Sequence, residues 1–293
     1  MRCFIKLFAF LVLFIEPVWS QNELLFFQTN WGFEGSWETF FQKTKAAGYD
    51  GVEIWLPKDK RQQQEVSSGL IKHQLKIIYL CGTNKNLPFE ESLSTYRSDL
   101  INALKQKPYA INSHTGSDFF TFEQNMKFIK LANALSDKYQ IPIYHETHRG
   151  RFSYSLPETL RYLDSDSIFR MTLDVSHWMV VHESLLTKQQ SSLDEVIQRT
   201  NHIHARVGFE EGPQVNDPQA PEWNKALERH LSIWTSIISN HWKSGKALSV
   251  TTEFGPPNYL PTLPFSQIPL SNQWESNTYI MKAIKERMKK KYL

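Results

Sequence analysis

Eight short apolar runs, each followed by a longer amphipathic stretch, constrain this chain more than any other feature. The runs occupy residues 24–27, 51–55, 76–80, 109–112, 141–144, 169–173, 202–205 and 248–251. Their length and their aliphatic and aromatic content predict buried strands. Between and after them, residues 36–47, 58–73, 89–105, 121–139, 157–163, 193–200, 222–242 and 273–290 carry helical periodicity. Ser36 ahead of Trp37-Glu38-Thr39 and Pro157 after Leu156 are helix-start signals, and Gly48 closes the first helix. A strand and a helix repeated eight times over about 270 residues predict an α/β fold, a single (β/α)8 TIM barrel. A doubly wound open sheet is the competing arrangement.

The first twenty residues stand apart. Arg2 and Lys6 precede an apolar run from Leu7 to Ile15, and Pro17-Val18-Trp19-Ser20 follows. That order predicts a secretory signal over residues 1–20, with the barrel domain at 21–293 and an exported product, periplasmic or extracellular. The run is short of the roughly twenty apolar residues that span a bilayer, so no membrane attachment is expected after cleavage. Losing the leader removes Cys3 and leaves Cys81 alone, which excludes an intrachain disulfide. It also takes 33 basic and 30 acidic residues to 31 and 29, a balance that offers nothing to nucleic acid.

Barrels of this kind carry their reactive groups at the C-terminal ends of the strands. Asn30 and Trp31 follow the first run, Trp55 ends the second and His114 follows the fourth. Glu146, Asp174, His204 and Glu253 lie at or near the ends of the last four. Taken singly, each has a plain structural reading: a strand-end Asp caps the next helix and a lone His packs in a core. Recurring in register around one mouth, they converge as a metal site does. Three carboxylates and one imidazole suit one divalent ion, Mn, Co or Mg rather than Zn. The two long proline-bearing connections, 207–221 and 255–272, fall on the same side and are expected to form substrate walls.

These residues resemble the xylose isomerase-like superfamily, specifically its sugar phosphate isomerase/epimerase group, over nearly the whole chain from Phe26 onward. The shared elements are the four strand-end ligands, the Asp174-Val175-Ser176-His177 segment and Gly48-Tyr49-Asp50-Gly51-Val52-Glu53. The resemblance implies metal ligands Glu146, Asp174, His204 and Glu253, with Glu146 and Glu253 also the catalytic acid/base pair. It further implies substrate contact by His177. Substrate binding is also expected of Arg206, His148, His114 and Trp55, Arg206 otherwise pairing with Glu210 or Glu211. His202, two residues before His204, is expected one layer deeper. Trp31, Trp55, Trp178 and Phe254 suit stacking on a sugar face or belong to the core. The implied activity is isomerisation or epimerisation of a keto sugar, a small-molecule carbohydrate, through an enediolate. A dehydratase-type lyase and a non-catalytic secreted carbohydrate-binding barrel are the alternatives. An endonuclease IV-like hydrolase is disfavoured, because Cys81-Gly82-Thr83-Asn84 stands where that branch has a further histidine.

Overall fold

The computed structural model describes residues 23–166 and 168–292, so the predicted leader at 1–20 lies outside the described residues. Eight parallel strands close on themselves in sequence order. They are β1 (Leu24–Thr29), β2 (Gly51–Trp55), β3 (Lys76–Gly82), β4 (Ala110–His114), β5 (Ile143–Glu146), β6 (Met171–Leu173), β7 (Thr200–Ala205) and β8 (Leu248–Thr252). Closure is made by β1 against β8, from Leu24 opposite Leu248 to Gln28 opposite Thr252. The predicted (β/α)8 barrel is the fold, and the open sheet is excluded.

The helices follow the predicted order: α1 (Trp37–Ala46), α2 (Lys60–His73), α3 (Phe89–Lys105), α4 (Phe122–Tyr139), α5 (Leu156–Ser165), α6 (Val175–Val181), α7 (Gln190–Arg199), α8 (Asn224–Lys243) and α9 (Gln273–Tyr292). Local chemistry fixes their starts. Ser36 accepts from the Thr39 amide and Asp59 from the Gln62 amide, while Thr121 and Gln124 form a reciprocal capping box. Gly48 ends the first helix with φ of +85°, as its position predicts. The short α6 has no counterpart in the periodicity, because Val-Ser-His-Trp-Met-Val-Val offers no polar face to alternate with.

Alternation along each strand divides the protein into layers. Val52, Ile54, Ile77, Tyr79, Ile111 and Ile143 face outward onto Phe40, Phe41, Val66, Tyr96, Leu100 and Phe128 of the surrounding helices. Their neighbours face the barrel axis. Leu25, Phe27, Ile78, Ala110 and Tyr144 fill the lower interior. Gly51 permits this packing, since a Cβ there would lie 2.5 Å from the Phe27 ring and 2.6 Å from the Lys76 carbonyl. Above that apolar plug the inward residues become polar, and the site begins.

Candidate metal centre

Glu146 is the last residue of β5, not a loop residue beyond it, and Asp174 and Glu253 directly follow β6 and β8. His204 is on β7, opposite Thr251. Register around a closed parallel barrel therefore brings four strand ends to one point. Each residue can offer one ligating atom such that all four atoms lie within 4.8 Å of one another. His204 Nδ1 is 3.0 Å from Glu253 Oε2 and 3.6 Å from Glu146 Oε2. All four side chains are buried.

Beneath them is a second polar layer that residue spacing alone does not disclose. Glu53 of β2 is fully buried, with Oε1 2.8 Å from His204 Nε2 and Oε2 3.0 Å from His202 Nε2. The Thr251 hydroxyl donates to the same carboxylate, and the Asn112 amide bridges Glu53 Oε1 at 2.9 Å and Glu146 Oε2 at 2.7 Å. His202, paired also with Ser249, lies one layer down as expected. A carboxylate on Nε2 orients the His204 ring so that Nδ1 faces the ligand group, the arrangement that steadies metal-binding histidines. Burial alone would raise Glu53, but the charges of His204 and His202 outweigh it and hold the carboxyl below its usual range. Burial works against a charged His204 as well, yet Glu253, Glu53 and Glu146 raise it well above the ordinary histidine value.

Arg206, two residues beyond His204 and just past β7, is 1% exposed. It pairs with Asp174 and lies 3.6 Å from Glu253, not with Glu210 or Glu211. The other Asp174 oxygen accepts from the Ser176 amide at 3.0 Å and the Ser176 hydroxyl at 2.5 Å. Asp174 thus caps α6 and belongs to the ligand group at once. Burial, opposed by Arg206 and reinforced by Glu253, raises it to about 6.

Carboxylates crowd this group. Among the described residues, Glu53, Glu146, Asp174 and Glu253 meet the Arg206 guanidinium and the imidazoles of His114, His202 and His204. Carboxylates packed together out of water are costly without a counter-ion. Glu146 Oε1 is buried and has no hydrogen-bond partner among the described residues. Oxygen donors, one imidazole and an orphaned carboxylate oxygen all fit a divalent cation.

The group opens into a cavity of about 440 Å³ lined by Trp31, Trp55, His114, His148, Arg206, Glu253 and Tyr259, among others. Trp55 meets the His114 ring edge-on at 5.5 Å between centroids. Tyr259, from the connection after β8, meets Trp31 edge-on at 5.0 Å and covers the Arg206 guanidinium at 4.7 Å. The two long connections brace each other: the Gln214 amide donates to and accepts from Gly255, at 3.1 and 2.7 Å. Trp178 and Phe254 are fully buried in the outer core and do not wall the cavity. His177 departs from its expected place too. It is fully buried behind His148, 4.0 Å between rings, with Arg149 at 3.1 Å from Nδ1 and Arg206 at 2.9 Å from Nε2. Its reach to a bound molecule runs through His148 and those two arginines.

No family profile matches the sequence, and no curated protein matches it. Solved structures do. D-allulose 3-epimerase from Methylomonas sp., in complex with D-allulose, superposes with a TM-score of 0.63 at 15% identity, covering 91% of this chain and 98% of that one. A xylose isomerase-like TIM barrel protein from Mycobacterium smegmatis, in complex with magnesium, has a TM-score of 0.58 at 10% identity, covering 86% and 89%. The fold is that of the xylose isomerase-like barrels. Endonuclease IV from Thermus thermophilus shares it too, at a TM-score of 0.58 and 14% identity, covering 92% and 99%. One xylose isomerase-like scaffold thus carries several chemistries, and the choice among them falls to the side chains of this chain.

Proposed function

We propose that the protein is a divalent-metal-dependent isomerase or epimerase of a keto sugar or sugar derivative. The observation that carries the reading is the pairing of two buried glutamates, Glu146 and Glu253, across a ligand group that opens into an indole-walled cavity. Glu146, Asp174, His204 and Glu253 would hold the ion, which when bound supplies Lewis-acid stabilisation of charge on a sugar carbonyl oxygen.

The rest of the chemistry belongs to the side chains. Glu253 lines the cavity and takes a proton from the carbon beside the carbonyl, while Glu146, deeper and with Oε1 unpaired, serves the other face. Arg206, held in place by Asp174 and Tyr259, presents its guanidinium to a substrate oxygen. Trp31 and Trp55, each more than a third exposed, offer apolar surface to the sugar ring and exclude water from the reacting carbon. We place this activity outside the cytoplasm, on the strength of the leader read in residues 1–20.

Incubating the metal-loaded protein with keto sugars in deuterated water tests the reading. Deuterium on carbon together with an isomer of otherwise unchanged mass supports it. Loss of water from the product would assign the same residues to a lyase, and no exchange with any keto sugar would favour a binding protein.

A further inference from the structure

We propose that the protein docks on lipid surfaces through an apolar hairpin at residues 261–270, in the connection between β8 and α9, with the barrel mouth turned towards the membrane. The inference needs neither the metal nor the sugar.

The hairpin is a built element. Thr262 and Pro269 form an antiparallel bridge, the Leu263 amide donates to the Ile268 carbonyl at 2.8 Å, and the Leu270 amide donates to the Pro261 carbonyl at 3.0 Å. Every residue from 263 to 270 is exposed. Phe265 stands wholly in solvent, and Leu263, Ile268 and Leu270 are about half exposed. The polar side chain at the tip folds back, since the Thr262 hydroxyl donates to Gln267 Oε1 at 3.1 Å. Phe265 has φ of +64° and Gln267 of +56°. A turn that only reversed the chain would place Gly or Asn there, because a bulky side chain in the left-handed region costs free energy. The strained position is the one whose ring is fully in water.

Shape and charge choose the occupant. Both sides of the hairpin are open, so a flat partner would cover one side and leave the other wet, whereas lipid closes around both. Four side chains, three of them already half covered, also fall short of the roughly 800 Å² a side that a stable protein interface buries. No residue from 254 to 274 is charged, so entering an apolar layer strands no ion. Pro261, Pro264 and Pro269 have no amide to desolvate, and the amides of Leu263, Ser266, Gln267 and Leu270 are bonded within the hairpin, as an apolar medium requires. Tyr259, on the same connection, lines the cavity, and Phe119, 89% exposed after β4, lies at the same end of the barrel. A wedge of this kind enters one leaflet and needs no spanning segment, so it holds the protein at a membrane even once the leader is cleaved.

Vesicle partitioning tests this. The full-length protein is titrated with vesicles of pure phosphatidylcholine and of phosphatidylcholine mixed with phosphatidylglycerol, at low and high salt, and bound protein is separated by flotation. Residues 1–20 are common to every variant and cancel from the ratios. Phe265→Ser should lower the partition coefficient by about 10-fold, and Phe265→Ser with Ile268→Ser should lower it further. Ile71→Ser on α2, which removes an apolar side chain 77% exposed elsewhere, should leave it unchanged. Binding should be alike on neutral and mixed vesicles and indifferent to salt, because the hairpin carries no charge. Far-UV circular dichroism checks that the serine variants are folded. Partitioning unchanged by both hairpin variants overturns the proposal, as does binding confined to the anionic vesicles and lost in high salt. Light scattering that shows a dimer in the wild type and a monomer in Phe265→Ser overturns it in favour of a second copy of this chain.

Discussion

Glu53 is charged, fully buried and shared between two histidines, and its removal should be felt at a distance. Glu53→Gln keeps the shape but loses the carboxylate that orients His204, so metal affinity should fall by about 10- to 100-fold. Equilibrium dialysis against Mn²⁺ reads this, and an unchanged affinity would mean that His204 is not a ligand through Nδ1. His204 itself makes metal uptake depend on pH. Its raised value means that the metal-free protein holds a proton there at neutral pH, and coordination requires that proton to leave. Affinity should therefore climb as pH rises towards that value. Calorimetric titrations in buffers of different ionisation enthalpy should report about one proton released per ion bound near pH 7. Release of none would place the ion elsewhere. In the metal-free protein the sign is reversed. The imidazolium stabilises the fold below the ordinary histidine value of about 6.5, and that contribution is lost as pH rises through the raised one. The proposed acid/base pair has its own signature: Glu146→Gln and Glu253→Gln should each lose about 10²- to 10⁴-fold in turnover at saturating metal. Turnover like the wild type's in either would remove that residue from the chemistry.

Among single residues, the convergence of Glu146, Asp174, His204 and Glu253 was legible because each lies at or near the end of an apolar run, where barrel geometry brings side chains together. Glu53 was not, since one acid between Val52 and Ile54 shows nothing of a partner 151 residues away. A separation of 32 residues hid the Arg206–Asp174 pair, whereas the nearer Glu210 and Glu211 looked like natural partners. His177 is buried behind His148 and bonded to Arg149 and Arg206, contacts that the sequence does not reveal.

At the scale of elements, α6 couples site and fold. Asp174 is its N-cap, so replacements there separate two roles. Asp174→Asn preserves a good cap while removing the charge, and should lose metal at little cost to secondary structure. Both replacements remove the charge opposite Arg206, which keeps Glu253 at 3.6 Å, but only Asp174→Ala also gives up the cap, about 0.5–2 kcal/mol. Thermal melts of the two chelated variants should therefore differ by a few degrees, with Ala the lower. Equal melting temperatures would show that the cap contributes nothing to stability. The strands themselves were readable from alternation, and their ends shifted by only one or two residues. That shift matters once, since it places Glu146 within β5, in register with Thr172 and bonded to Asn112. The helix was unreadable because a buried seven-residue turn has no solvent face to give it a period.

For the whole molecule, closure of β1 on β8 turns eight separate strand ends into one ring, and the apolar plug of Leu25, Phe27, Ile78, Ala110 and Tyr144 supports it from below. Such a ring concentrates carboxylates where water is scarce. Without an ion, the native state holds these carboxylates close together and out of water, which the unfolded chain does not. Any cation that binds only the folded barrel must stabilise it, by about 2.7 kcal/mol at a hundred times its dissociation constant. For a domain of this size that corresponds to at least several degrees in Tm. The direct measurement is a thermal melt of the chelated full-length protein titrated with Mn²⁺, alongside His204→Ala. The account predicts a Tm that climbs with Mn²⁺ in the wild type and stays flat in His204→Ala; a wild-type Tm indifferent to Mn²⁺ and every other divalent ion tried would contradict it.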